Sequence, residues 1–157
     1  MFSIICDKDG NPLSEEEMGE MEVESLILLL RAYLKKMNYE VKDFGTSGKE
    51  PVDYPDYGHP FAKSISAGEY ELGITICGTG NGMSMTVNKH RGIRCALCWS
   101  EEISRLARAH NDANICSLPG RFINEAEAYL IVKTFVETEF EGGRHKPRID
   151  KISLKMY

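Results

Sequence analysis

L-G-I-T-I-C-G-T-G-N-G-M-S, residues 72–84, is the stretch that decides the architecture. Residues 72–77 form a near-continuous apolar run, the kind buried on both faces of a parallel sheet. Three glycines follow within five positions, at Gly78, Gly80 and Gly82. A helix is expected to start near Gly82 and run to about Lys89. A strand that turns through glycines into a helix is half of a βαβ unit.

The same alternation extends in both directions. Strands are expected over 2–6, 39–44, 93–98 and 114–118, and helices over 18–37, 57–67, 101–109 and 125–139. A polar loop covers 7–17, and a basic, partly apolar tail covers 149–156. The pattern predicts an α/β protein with a parallel sheet covered on both sides. It does not give the strand order. With no internal repeat, low-complexity segment or linker, residues 1–157 read as a single domain.

Composition narrows the function classes. A net charge of −5 and a pI near 5.4 argue against nonspecific nucleic-acid binding, which needs a basic face. No apolar run approaches the ~18 residues of a membrane span, and the first residues lack the features of a signal peptide. The expectation is therefore no nucleic-acid partner and no membrane. Five cysteines, an odd count, point to a reducing compartment, with the cytoplasm the expected location.

Ligands of doubly wound sheets bind beyond the carboxyl ends of the strands, where Cys77 and the glycine loop fall. The spacing G-T-G-N-G is neither the dinucleotide fingerprint nor a P-loop, which disfavours a nucleotide site. A cysteine at such a turn, beside unpaired backbone amides, could remove a proton from carbon while the loop stabilises the resulting oxyanion. The alternative is a small core residue that happens to end a strand. C-A-L-C at 95–98 has the spacing of a metal or redox pair, but residues three apart on a strand point to opposite faces, so packing is the expected role. D-K-D-G-N at 7–11 starts like a calcium loop and then fails, with Pro12 and Met18 where Gly and Glu are needed. His110 and Asn111 end a helix, where a surface or capping role is the simpler reading for His110. Arg144 and Arg148, four apart, suit phosphate recognition or a solvated basic turn.

Together the blocks D-Y-P-D-Y (53–57), G-I-T-I-C-G-T-G-N-G-M-S (73–84), N-K-H-R-G-I-R (88–94), H-N-D-A-N (110–114), G-R (120–121) and E-G-G-R-H-K-P-R (141–148) resemble the ribose-5-phosphate isomerase type B family. That family includes allose-6-phosphate and galactose-6-phosphate isomerases. The resemblance implies a three-layer α/β/α sandwich with a five-stranded parallel Rossmann-like sheet. It further implies a homodimer or homotetramer with shared active sites, the C-terminal tail reaching a partner subunit. The substrate would be a phosphorylated sugar. Cys77 would be the base that moves a proton between C1 and C2 through a cis-enediol. Gly78, Gly80, Asn81 and Gly82 would form the anion hole, with the Thr79 hydroxyl nearby. His110 of the partner subunit would aid ring opening, Asn111 would hold a sugar hydroxyl, and Arg121, Arg144 and Arg148 would bind the phosphate. No metal or organic cofactor is implied.

The chain departs from the family pattern at its N-terminus. Lys8 stands where a histidine is usual, and the loop before the first helix is longer; Asp7 would contact the sugar ring oxygens. Asn81 replaces a small apolar residue. Asp7, Lys8, Tyr54 and Asn81 would set the length of the pocket, so a six-carbon sugar phosphate is the alternative substrate to ribose 5-phosphate. A sugar-phosphate-binding module without catalysis is the third reading.

Overall fold

The structure is a computed structural model that describes residues 2–6, 15–45 and 52–153. The chain runs β1 (Phe2–Cys6), α1 (Glu15–Lys36), β2 (Val41–Asp43), α2 (Tyr54–Ser66), β3 (Leu72–Cys77), α3 (Asn81–Val87), β4 (Cys95–Leu97), α4 (Glu101–Asn111), β5 (Ile115–Pro119) and α5 (Glu125–Glu137). A 3-10 turn (Gly143–His145) and the short α6 (Lys146–Ile149) follow.

Among the described residues the five strands are all parallel, in the order β2-β1-β3-β5-β4. The chain steps one way from β1 to β2 and the other way to β3. The carboxyl ends of β1 and β3 therefore flank a topological switch point. β3 lies in the middle of the sheet, which is why its sequence is apolar at nearly every position: five of its six residues are buried.

Two cores sandwich this sheet. On one face α1 presents Val23, Leu26, Ile27, Leu30 and Leu34, at helical spacing, against Ile74, Ile76, Cys116 and Leu118 of the sheet and Ile131, Val132 and Phe135 of α5. Leu30 and Leu34 are fully buried, each stabilising the fold by about 2 kcal/mol on area grounds. On the other face α2 and α3 supply Phe61, Ala62, Ile65, Met83 and Val87 against Cys77, Cys95 and Ile115. The expected division of the C-A-L-C pair holds, with Cys98 in the first core and Cys95 against the second.

Several boundaries differ from the sequence expectation. Helix α1 begins at Glu15, inside the stretch read as loop. Helix α2 starts at Tyr54 rather than 57, because Pro55 occupies a first-turn position where no amide is needed. Strand β4 covers three residues, not six. The Arg94 amide donates to Asn114 Oδ1 at 2.8 Å, so a side chain replaces the ladder there. Helix α4 continues to Asn111 and is stopped by Asp112 in the left-handed region (φ 45°). Helix α5 starts in a reciprocal cap in which the Glu127 amide donates to Asn124 Oδ1 and the Asn124 amide to Glu127 Oε2.

Candidate active site

The expected site residues fall into two groups at opposite edges of the sheet. The first gathers where β3 and β5 end. Past their last paired residues, Cys77 and Pro119, the Gly120 amide donates to the Cys77 carbonyl (2.9 Å) and the Arg121 amide to the Gly78 carbonyl (3.0 Å). These bonds carry the ladder on into the loop and hold its first peptide units against the sheet. Cys77 is 5% exposed and packs with the core beneath α2 and α3.

Side chains close over the glycines. A Cβ on Gly78 would stand 3.2 Å from Arg121 Nε, and one on Gly82 would stand 2.9 Å from the Tyr54 hydroxyl. Arg121, in the turn after β5, and Tyr54, at the start of α2, thus flank the loop, and only bare backbone leaves them room. Gly80 sits at φ +73°, a conformation that side chains other than glycine's seldom adopt. Thr79 Oγ1 accepts from the Asn81 amide at 3.3 Å. Asn81 itself is exposed at the start of α3.

The second group lies at the amino edge. Helix α4 starts beyond the carboxyl end of β4 and runs back, so His110 and Asn111 stand just before β5 begins. Five-residue strands put roughly 16 Å between the two edges. The chain after α5 reaches the same edge, where the Glu141 amide donates to the Ala109 carbonyl (3.0 Å). The His110 and His145 rings stack at 4.2 Å with an interplanar angle of 9°. Glu141 Oε2 lies 3.7 Å from His110 Nε2 and 3.8 Å from His145 Nε2. Arg144 and Arg148 flank His145 on this turn. Asp7 and Lys8 lie outside the described residues.

Sequence reasoning missed the frame around His110. Arg94 Nε donates to the Asn111 and Asp112 carbonyls (3.1 and 2.9 Å), while its NH2 group pairs with Asp112 Oδ2 at 2.8 Å. Arg108 pairs with Asp112 Oδ1 at 3.0 Å and donates to the Ala113 carbonyl at 2.7 Å. Two arginines thus clamp the turn that ends α4. The chain signal was there, since Arg94 and Asp112 fall inside recognised blocks, yet charges 18 residues apart carry no mark of contact.

Desolvation pushes the Cys95 thiol up to about 12, against a hydrogen bond with Ser84 that pulls it down. Cys116, fully buried, is also raised, first by desolvation and then by its contact with Cys98. Neither is a thiolate at neutral pH. Burial, then the neighbouring His110 and Arg144, lower His145, with Glu141 opposing.

His110, Glu141 and His145 bring donor atoms within 4.8 Å of one another, a set whose chemistry suits zinc. Their geometry suits it less. Parallel rings direct their nitrogen lone pairs side by side, so a common ion would require one imidazole to turn. A separate surface cavity of about 500 Å³, lined by Leu29, Glu125, Ala126, Tyr129 and Leu130, opens between α1 and α5. It lies across the sheet from α2 and α3.

Known proteins are similar to this chain in sequence and in fold. The Ribose/Galactose Isomerase family model matches residues 20–152. Ribose-5-phosphate isomerase B of Escherichia coli (strain K12) is 38% identical over 122 residues, which cover 78% of this chain and 82% of that protein. A ribose 5-phosphate isomerase structure from Thermotoga maritima aligns with a TM-score of 0.83 at 44% identity, covering 96% of this chain and 95% of that one. Ribose-5-phosphate isomerase B from Mycoplasma genitalium, solved with bound ribulose-5-phosphate, aligns with a TM-score of 0.82 at 36% identity, covering 96% and 93%. With its parallel sheet, its glycine loop after β3 and a match over most of its length, the chain belongs to the ribose/galactose isomerase family.

Proposed function

We propose that this protein interconverts ribose 5-phosphate and ribulose 5-phosphate at sites built from two copies of the chain. The observation that carries the reading is the loop after Cys77, with Arg121 against Gly78 and Tyr54 against Gly82. A carbon acid needs a base next to a group that accepts the developing oxyanion, and the Cys77–Gly82 turn combines the two.

In this mechanism the Cys77 thiolate removes the proton from C2 of the open-chain aldose. The electron pair moves into a C1–C2 double bond, and the carbonyl oxygen becomes the oxyanion held by the amides of Gly78 to Gly82, with Thr79 beside it. The C2 hydroxyl gives up its proton as O1 gains one, and the thiol returns its proton to C1, which leaves the C2 carbonyl of the ketose. His110 protonates the ring oxygen when the furanose opens, and Asn111 holds a hydroxyl. Arg121, Arg144 and Arg148 bind the phosphate, whose binding energy orients the distant carbon centre. His110, Asn111, Arg144 and Arg148 stand at the amino edge of their own sheet. In the proposed assembly they serve the carboxyl edge of a partner, and the C-terminal tail reaches across with them.

A coupled spectrophotometric assay on ribose 5-phosphate tests the reading. Cys77→Ala should lower kcat by about 10²–10⁴-fold, the usual worth of a general base, with the fold retained by circular dichroism. Wild-type turnover in that variant removes Cys77 from the mechanism. Tight binding of ribose 5-phosphate with no turnover in the wild type would mark a binding module.

A six-carbon sugar phosphate is the second reading. It is favoured by the exposed Asn81 at the loop and by a family description that includes galactose. A higher kcat/KM on allose 6-phosphate than on ribose 5-phosphate would establish it.

A further inference from the structure

The Gly80 carbonyl accepts two hydrogen bonds. One comes from the Ser84 amide at 3.1 Å, within α3; the other comes from Ser117 Oγ at 2.7 Å. Ser117 is fully buried on β5, between Thr75 of β3 and Leu97 of β4 in the ladder. The shorter bond therefore ties the loop to the sheet, not to its own helix.

That carbonyl and the Asn81 N–H belong to one planar trans peptide, so fixing the direction of one fixes the other. A glycine at φ +73° resists rotation of this unit poorly, so other contacts must hold it. Leu97 enforces the glycine, since its Cδ1 would stand 2.3 Å from any added Cβ. The Thr79–Asn81 bond, at 3.3 Å, is long and local. Ser117 supplies the strong restraint.

We propose that Ser117 is a positioning residue for the isomerisation: its hydroxyl holds the Gly80–Asn81 peptide so that the loop amides face the enediolate oxygen. The inference rests on the reading of Cys77 and its glycine loop given above, and adds to it a buried residue that touches no substrate. A misaligned amide costs more against a developing oxyanion than against a neutral carbonyl. The effect therefore belongs in kcat and leaves KM nearly unchanged.

The test uses the full assembled protein and ribose 5-phosphate, unlabelled and deuterated at C2. Ser117→Ala is expected to lower kcat about ten-fold with KM within about two-fold of wild type, an effect below that of deleting an oxyanion donor outright. The deuterium isotope effect on kcat should rise as proton abstraction becomes slower. Ser117→Thr, which keeps the hydroxyl, should recover most of the loss. In amide NMR spectra, Ser117→Ala should shift the Gly80 and Asn81 resonances and speed their hydrogen exchange.

A Ser117→Ala kcat within about two-fold of wild type, beside an inactive Cys77→Ala, overturns the proposal and leaves the Cys77 reading intact. So does an activity loss that merely tracks the loss of folded chain, or unmoved Gly80 and Asn81 resonances. Full turnover in Cys77→Ala removes the underlying reading, and the role of Ser117 goes with it.

Discussion

Thr75 is fully buried on β3, and its Oγ1 meets no hydrogen-bond partner among the described residues. Its neighbour across the ladder, Ser117, directs its own hydroxyl to Gly80. A buried hydroxyl without a partner carries an uncompensated desolvation cost of about 1–3 kcal/mol. Thr75→Val keeps the shape and removes the polar atom, so it should raise stability by about 1 kcal/mol, or roughly 2–4 °C in Tm for a chain of this size. Thermal unfolding checks this; a fall in Tm would mean that the hydroxyl is satisfied in solution. The two neighbouring hydroxyls make opposite demands, one dispensable and one needed. Nothing in the run L-G-I-T-I-C distinguishes Thr75 from the apolar residues beside it. The location of Cys77 was legible by contrast, since a cysteine next to three glycines marks the end of a strand in a doubly wound sheet.

Among the elements, the glycine loop and the C-terminal turn carry the most specific consequences. Gly80→Ala combines a positive φ with a Cβ driven into Leu97. It should cost at least about 2 kcal/mol, since strained backbone and overpacking both contribute, and should depress kcat as well. Chemical denaturation and the isomerase assay read the two effects separately. At the turn, His145 is 7% exposed and stacked on His110. Burial, His110 and the nearby arginines lower its folded pKa, against Glu141. The unfolded chain therefore binds the proton more readily. The stability this histidine contributes is complete above about pH 6.5 and is lost as pH falls through the lower folded value. Between about pH 7.5 and about pH 5.5, wild type should lose more stability than His145→Gln. Parallel curves for the two proteins would exclude the effect.

Most elements were readable from apolar periodicity, and two of the missed boundaries share a cause. Strand β4 is short because Asn114 takes over the Arg94 amide, and α4 ends late because two arginines clamp Asp112. Each involves a side-chain bond between distant segments, Arg94 to Asn114 in the first and Arg94 to Asp112 in the second, which local pattern does not register. The strand order was equally hidden, since the sequence fixes neither the step back from β1 to β2 nor the insertion of β5 between β3 and β4.

For the whole molecule, the separation of the two residue groups is decisive. The edge that carries Cys77 and Arg121 and the edge that carries His110, Arg144 and Arg148 lie a sheet's length apart. On the shared-site reading, inactive chains can rescue one another. A mixed dimer of Cys77→Ala and His110→Ala chains contains one site with both residues intact and one with neither. Random reassortment should thus restore roughly a quarter of wild-type activity from two dead proteins. A mixture that remains inactive after unfolding and refolding together would show that each chain works alone. Family resemblance made the sharing an expectation; the separation itself comes from the direction of α4, because a helix that leaves the carboxyl end of a strand must deliver its last turn to the other side.

On the shared-site reading, that geometry would also tie catalysis to protein concentration. If neither edge can complete the chemistry alone, the specific activity of a dilute solution should decay as subunits part, and should return on concentration or on adding substrate that bridges them. Such a catalyst would titrate its own assembly, with turnover per mole serving as the gauge of association.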